Sequence, residues 1–374
     1  MQQLDMDALD CILDIEKRKR LFNKIVEGLI SSEAKLNAKF VKINISRGEY
    51  FIPVLYSPKQ KDGAPILTFI GAQHNEFSGL FGQMQFLLSD SSQFLMEWKE
   101  RTKGGFCFVP LFNVDGFFRP KKHNKWGYFS RLNNNNPTSG NYINLNRYWN
   151  EVFSNYLSNV PVEHHEFGKF LSGIGGLGEG RQGPLYIIDF HETSLVYRYI
   201  EELALRFDND YRVDHWIKKW IIDSTSDYIK ANNPHFNPFD EMQNFKEVIK
   251  SLFKERMDKS FYVIEYAEST EKMAREIDKM IYPVYKNKLI YSSNRCLLQP
   301  YPIKGSIIAS SRQFPWVFAL EFEFRKLIYD LKKEQELVKK NPDYKLILLD
   351  EFILNQEITS QIIVSILKTL NKSP

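Results

Sequence analysis

The feature that most constrains this chain is an apolar run, Ala64–Ile70, that leads straight into the loop "GAQHNEFSG" (residues 71–79). A second apolar stretch begins at Leu80. A short run that is apolar on both alternating faces fits a strand buried on both sides of a parallel sheet. Loops at the carboxyl ends of such strands are where α/β proteins place their chemistry. This loop gathers a carboxamide, an imidazole and a carboxylate within four residues, Gln73, His74, Asn75 and Glu76.

Similar runs follow at Phe106–Phe112 and at "LYIIDF" (185–190), with a further strand at "SFYVIEYA" (260–267). The segment "IIASSRQFPWVFALEFEF" reads as two late strands, and "FVKINISRGEYFIPVLYS" as a hairpin turning at Arg47-Gly48-Glu49. Helical spacing covers 3–36, Phe81–Trp98, most of 201–260 and the tail from Arg325. Alternating strands and helices predict an α/β fold with a mixed, largely parallel sheet flanked by helices, extended by helices at both termini. The expected partition is 1–58 (helix and hairpin packed on the core), 59–330 (catalytic domain) and 331–374 (helical tail). The run Asn133–Asn136 reads as a surface loop.

With 374 residues and a formal charge of only +4, the chain is poorly suited to nucleic acid, despite the local basic run at Arg119-Pro120-Lys121-Lys122. Three widely spaced cysteines give no disulfide framework and no Cys-rich zinc site. The N-terminus lacks the pattern of a secretory signal, and no apolar stretch reaches the ~20 residues of a membrane span. The expectation is a cytoplasmic protein with no membrane or nucleic-acid partner. The sequence leaves its oligomeric state open.

Five segments at or near strand ends carry polar chemistry: the opening loop, "NVDGFFRP" (113–120), "INLNRYW" (143–149), "IIDFHETS" (187–194) and "FALEFEF" (318–324). Singly, each has a bland reading. Asn-x-Asp-Gly is commonly a turn, and Glu321 and Glu323 could be the water-facing positions of an edge strand. In this order they resemble the zinc carboxypeptidase superfamily, which includes the aspartoacylase and succinylglutamate desuccinylase branch. That pattern runs His-x-x-Glu, Asn-Pro-Asp-Gly, Asp-Leu-Asn-Arg, a strand-ending His and a late Glu. Here "NVDG" has Val114 for the proline, and "NLNR" has Asn144 for the aspartate. The resemblance spans roughly residues 60–330.

The first motif departs from the pattern, because His74 and Glu76 are only two apart. Anchoring on Glu76 and "FSG" puts Gln73 where the histidine stands, a Gln-x-x-Glu variant known in the peptidoglycan-trimming branch. The resemblance therefore implies one zinc ion per chain on Gln73, Glu76 and His191, with His74 as the alternative ligand. It implies Glu321 as general base, Arg119 or Arg131 as the cation at the developing oxyanion, and Asn146 and Arg147 gripping a substrate carboxylate. The implied activity is hydrolysis of an amide next to a free carboxylate, by a carboxypeptidase whose candidate substrates include peptidoglycan-derived peptides. Alternatives are a deacylase of small N-acyl amino acids, and a metal-free pseudo-hydrolase that binds peptide C-termini. The pair His164-His165 lies in a charged helical stretch where neighbours do not share a face. His123, His215 and His235 suggest no site.

Overall fold

The computed structural model describes residues 2–45, 50–74, 76–118, 128–130, 141–178, 183–193, 260–285, 287–296, 306–325, 327–328 and 331–372. Nearly all of the 201–260 segment, the Asn133–Asn136 loop, both arginine candidates (Arg119, Arg131) and His123, His215 and His235 lie outside these residues.

The N-terminal helical segment divides at Asp14 into α1 (Gln2–Leu13) and α2 (Arg18–Leu36). The Asp14 carboxylate accepts the Glu16 N–H at 3.1 Å, so the side chain competes with helix continuation. The hairpin forms from β1 (Lys39–Asn44) and β2 (Phe51–Ser57), paired antiparallel. There follow β3 (Ile66–Gly71), α3 (Ser78–Leu88), α4 (Gln93–Thr102), β4 (Gly105–Val109) and α5 (Val114–Phe118). One helix was expected over Phe81–Trp98. Two form, because Ser89 is extended (φ −88°, ψ 167°) and a 3-10 turn at Asp90–Ser92 separates them.

A small ribbon, β5 (Tyr128–Ser130) with β6 (Asn141–Ile143), precedes α6 (Trp149–Phe153), α7 (Val162–Gly173) and β7 (Leu185–Thr193). The chain resumes with β8 (Ser260–Tyr266), α8 (Glu271–Tyr285), β9 (Leu289–Cys296), α9 (Ile307–Ser311), β10 (Val317–Arg325), α10 (Leu331–Lys340) and α11 (Pro342–Lys372). The first of the two expected late strands is therefore the helix α9. The Ser306 hydroxyl accepts the Ala309 N–H at 3.2 Å, an N-cap that the apolar Ile307-Ile308 pair disguises in the sequence.

Among the described residues, eight strands form one sheet in the order β1-β2-β4-β3-β7-β10-β8-β9. Its centre, β4-β3-β7-β10, is parallel. The hairpin extends one side antiparallel, and β8 joins the other side antiparallel to β10. All six residues of β3 are buried, as the apolar run requires. Phe69 stacks on Phe108 (4.7 Å) and Phe190 (6.4 Å), and Phe190 on Phe322 (5.6 Å). Strand side chains alternate between faces, so this aromatic ladder sends Asp189, His191 and Glu321 to the opposite face. Register then sets Asp189 beside Glu321 on neighbouring strands.

Candidate metal centre

The loop after β3 is held by close backbone contacts. A Cβ at Gly79 would lie 2.4 Å from Phe190 Cβ, and one at Gly71 would lie 2.9 Å from both the Gly79 carbonyl carbon and Pro110 O. Only glycine permits this approach of α3 to β7. Ala72 takes a left-handed conformation (φ 54°), uncommon for a residue with a Cβ. It is locked there by hydrogen bonds from Phe112 N to Gly71 O (3.0 Å) and from Asn113 N to Ala72 O (3.1 Å). Asn113 Nδ2 also donates to Gln73 O (3.1 Å), while Asn113 Oδ1 accepts from Gly116 N (2.8 Å). The "NVDG" motif thus fixes the backbone of the loop that carries Gln73, His74 and Glu76.

Glu192 fixes the other end. Its Oε1 accepts from Phe77 N (3.0 Å), Ser78 N (2.8 Å) and Ser78 Oγ (2.6 Å), and its Oε2 from Leu327 N (3.1 Å). A carboxylate at the start of α3 satisfies backbone donors that the helix itself cannot. Since Glu192 directly follows His191, this cap ties the loop to the strand end that bears His191.

Three side chains converge within this frame. Glu76 Oε1 lies 3.2 Å from His191 Nδ1 and 3.4 Å from His74 Nδ1. The candidate donor atoms of His74, Glu76 and His191 all fall within 4.8 Å of one another. The outer nitrogens are held too: His74 Nε2 is 3.0 Å from Asn144 Oδ1, and His191 Nε2 is 2.6 Å from Asp189 Oδ2. Gln73 Nε2 donates to the same Asp189 oxygen, and the buried Gln73 Oε1 has no hydrogen-bond partner.

Glu321 sits on the Nε2 side of His191, 3.8 Å from it. Both its oxygens accept from Asn146 Nδ2, at 3.1 and 3.2 Å, and Asn146 Oδ1 accepts from Ile307 N at 3.1 Å. The side chain of Asn146 therefore bridges Glu321 and the start of α9. Arg147 donates to Asn146 O, and its positive charge is felt at both His74 and Glu321. A second group, Asp189, His191 and Glu321, shares His191 with the first, and a third, Glu265, Glu321 and Glu323, shares Glu321 with the second.

Burial and charge oppose each other here. Burial alone would raise the Glu76 carboxyl, but the two imidazoles more than offset it and hold Glu76 well below the usual range. Burial would lower His191, yet Asp189, Glu76 and Glu321 together raise it well above its ordinary value. His74, with Glu76 as its one favourable carboxylate, is lowered by burial to about 4. Burial pushes Glu321 up to about 7, against the opposing pull of His191.

His164 is buried rather than on a charged surface. Its ring packs against Trp149 (4.9 Å) and Phe112 (5.1 Å), neither nitrogen has a hydrogen-bond partner, and burial lowers it to about 3. His165 pairs with Glu166 at 2.6 Å. Sequence reasoning missed the parts played by Asp189, Asn113 and Glu192. A carboxylate inside the apolar run "LYIIDF" was the signal for Asp189.

No family model matches the sequence, and no curated protein matches it. Solved structures do. A structure of thrombin activatable fibrinolysis inhibitor is 12% identical, covering 94% of this chain and 74% of that one, with a TM-score of 0.50. The bovine protein, in complex with tick carboxypeptidase inhibitor, is 15% identical over 94% and 96% of the two chains, with a TM-score of 0.48. A metallo-carboxypeptidase from Burkholderia cenocepacia is 11% identical over 92% and 68%, with a TM-score of 0.46. At 12% identity the likeness to the first of these is one of fold alone. Among the described residues, no helix is long and apolar enough to cross a membrane.

Proposed function

We propose that this chain is a zinc-dependent hydrolase that releases a C-terminal amino acid from a peptide by cleaving the amide beside its free carboxylate. The observation that carries the reading is the convergence of two Nδ1 atoms on Glu76 Oε1, at the ends of parallel strands and beside a buried carboxyl pushed up to about 7. Two imidazoles and a carboxylate are a suitable donor set for a catalytic zinc, which takes three protein ligands and leaves a position open. His74, Glu76 and His191 would hold the ion, and Gln73, turned toward Asp189, would stand behind them. Zinc bound there supplies a Lewis acid that polarises a carbonyl and acidifies a water molecule.

The chain's own groups do the rest. Glu321 accepts a proton from the attacking water and returns it to the departing nitrogen, which a carboxyl poised near neutral pH can do. Asn146 holds both Glu321 oxygens in line for that transfer. Arg147, within electrostatic reach of His74 and Glu321, grips the substrate carboxylate, a pairing that a guanidinium makes bidentately. Arg119 or Arg131 remains assigned to the developing oxyanion.

The test combines metal analysis with a substrate panel. Purified parent protein is expected to hold one zinc per chain, retained in Gln73→Ala and lost in His74→Ala and His191→Ala. The panel contains plain peptides, muropeptides and N-acyl amino acids, and release of a C-terminal residue is the expected activity. A metal-free parent that cannot be loaded with zinc overturns the reading. Zinc lost with Gln73→Ala but kept with His74→Ala would return Gln73 to the ligand set.

A further inference from the structure

The two imidazoles of the metal centre are supported unequally. His74 Nε2 faces the neutral carboxamide of Asn144 at 3.0 Å, whereas His191 Nε2 faces the Asp189 carboxylate at 2.6 Å. An acceptor behind a ligating histidine fixes its tautomer and ring orientation, and a charged acceptor also makes the ring a stronger donor. Asn144 stands where the resembling pattern has an aspartate, so the negative charge behind the first histidine is missing from this chain.

Asp189 does more than meet His191. Its Oδ2 also accepts from Gln73 Nε2, and Asp189 is fully buried at the strand position beside Glu321. A carboxylate only accepts, so both neighbours must turn a donor toward it. With zinc bound, His191 would keep its proton on Nε2, facing Asp189, and leave Nδ1, 3.2 Å from Glu76 Oε1, free for the ion. Gln73 is likewise oriented, with its carboxamide oxygen turned away from Asp189.

We propose that Asp189 is the positioning residue of this metal centre and supplies, from behind His191, the outer carboxylate that Asn144 does not provide behind His74. The proposal rests on the zinc reading above. It adds that the outer charge lies on β7, two residues before the ligand it supports, rather than beside the loop. The centre therefore depends on Asp189 more than on Asn144.

The experiment measures zinc affinity by competition with a chromogenic chelator, independently of turnover, for the parent, Asp189→Asn, Asn144→Asp and the double variant. Asp189→Asn is close to isosteric and keeps an acceptor oxygen. It is expected to weaken zinc on the order of 10- to 100-fold, with the thermal unfolding transition of the metal-free protein still cooperative. Asn144→Asp restores a carboxylate behind His74 and is expected to tighten zinc. In the double variant it should recover much of the affinity lost with Asp189→Asn. A gain from Asn144→Asp that is larger in the Asp189→Asn background than in the parent is something a merely structural role for Asp189 would not produce. Unchanged affinity in Asp189→Asn, or a double variant no tighter than that single variant, overturns the proposal while leaving the zinc reading intact. A parent that binds no zinc removes both.

Discussion

At the scale of single residues, two buried ionisable groups give pH dependences of different kinds, one of activity and one of stability. Glu321 is pushed up to about 7 by burial. A general base works only when deprotonated, so kcat/KM should fall on the acid side as Glu321 takes up a proton. Glu321→Gln should lower kcat by about 10²- to 10⁴-fold while zinc content stays at the parent level, measured by steady-state assay and metal analysis. His164 affects stability instead. Its folded pKa, about 3, lies below the ordinary 6.5 because the charged form has no partner in its aromatic pocket. The unfolded chain therefore binds the proton more readily between those values. Stability present above about pH 6.5 drains away as pH falls toward 3, at up to about 1.4 kcal/mol per pH unit. His164→Leu should flatten that part of the stability-versus-pH curve, read by denaturant unfolding at a series of pH values. The sequence could not show this burial. "VEHHEF" reads as charged helix, yet neighbours on a helix point about 100° apart, and only the fold reveals that His164 faces Phe112 and Trp149.

At the scale of elements, the site depends on how closely α3 meets β7. Gly79 has no room for a Cβ against Phe190, on the strand that also carries Asp189 and His191. Gly79→Ala must push α3 away or twist β7. The expected cost is about 1–3 kcal/mol of stability, accompanied by weaker zinc binding, since Glu76 and His191 sit on opposite sides of the strained contact. Unfolding and chelator titrations on the same variant check both, and an unchanged zinc affinity would show that the loop is held independently of α3. The buried strands were legible because apolar runs such as "ILTFI" leave few alternatives. The helix α9 was not, since "SIIAS" offers the same apolar pair to either structure and the hydroxyl of Ser306 decides between them. The candidate site was legible only in part. His191 and Glu321 stood out as polar residues in apolar strands, but that Gln73 would meet Asp189 while His74 meets Glu76 depends on the loop shaped by the left-handed turn at Ala72, which no residue type announces.

At the scale of the whole molecule, the C-terminal helix packs on the same element that opens the site. Phe352 meets Phe81 edge-on at 4.8 Å, Asn355 Nδ2 donates to Ser78 Oγ at 3.1 Å, and Thr359 fills the space beside Gly82. Ser78 is itself held by Glu192, so a hydrogen-bonded chain runs from α11 through the start of α3 to the residue after His191. Further along α11, Ile358, Ile362, Ile363, Ile366 and Leu367 are completely buried. Full burial of one such side chain is worth about 1.5–3 kcal/mol, so these five together match roughly the whole 5–15 kcal/mol by which a domain is stable. If 59–330 were self-sufficient and 331–374 an added tail, deleting residues 342–374 would leave a cooperative fold with parent zinc affinity. The packing argues for the other outcome. The truncated chain should lose its sharp unfolding transition, bind a hydrophobic dye such as ANS, and hold zinc weakly or not at all. Adding a synthetic peptide of residues 342–372 in trans should restore part of the zinc affinity, because the cap at Ser78 and Glu192 would then regain its outer partner.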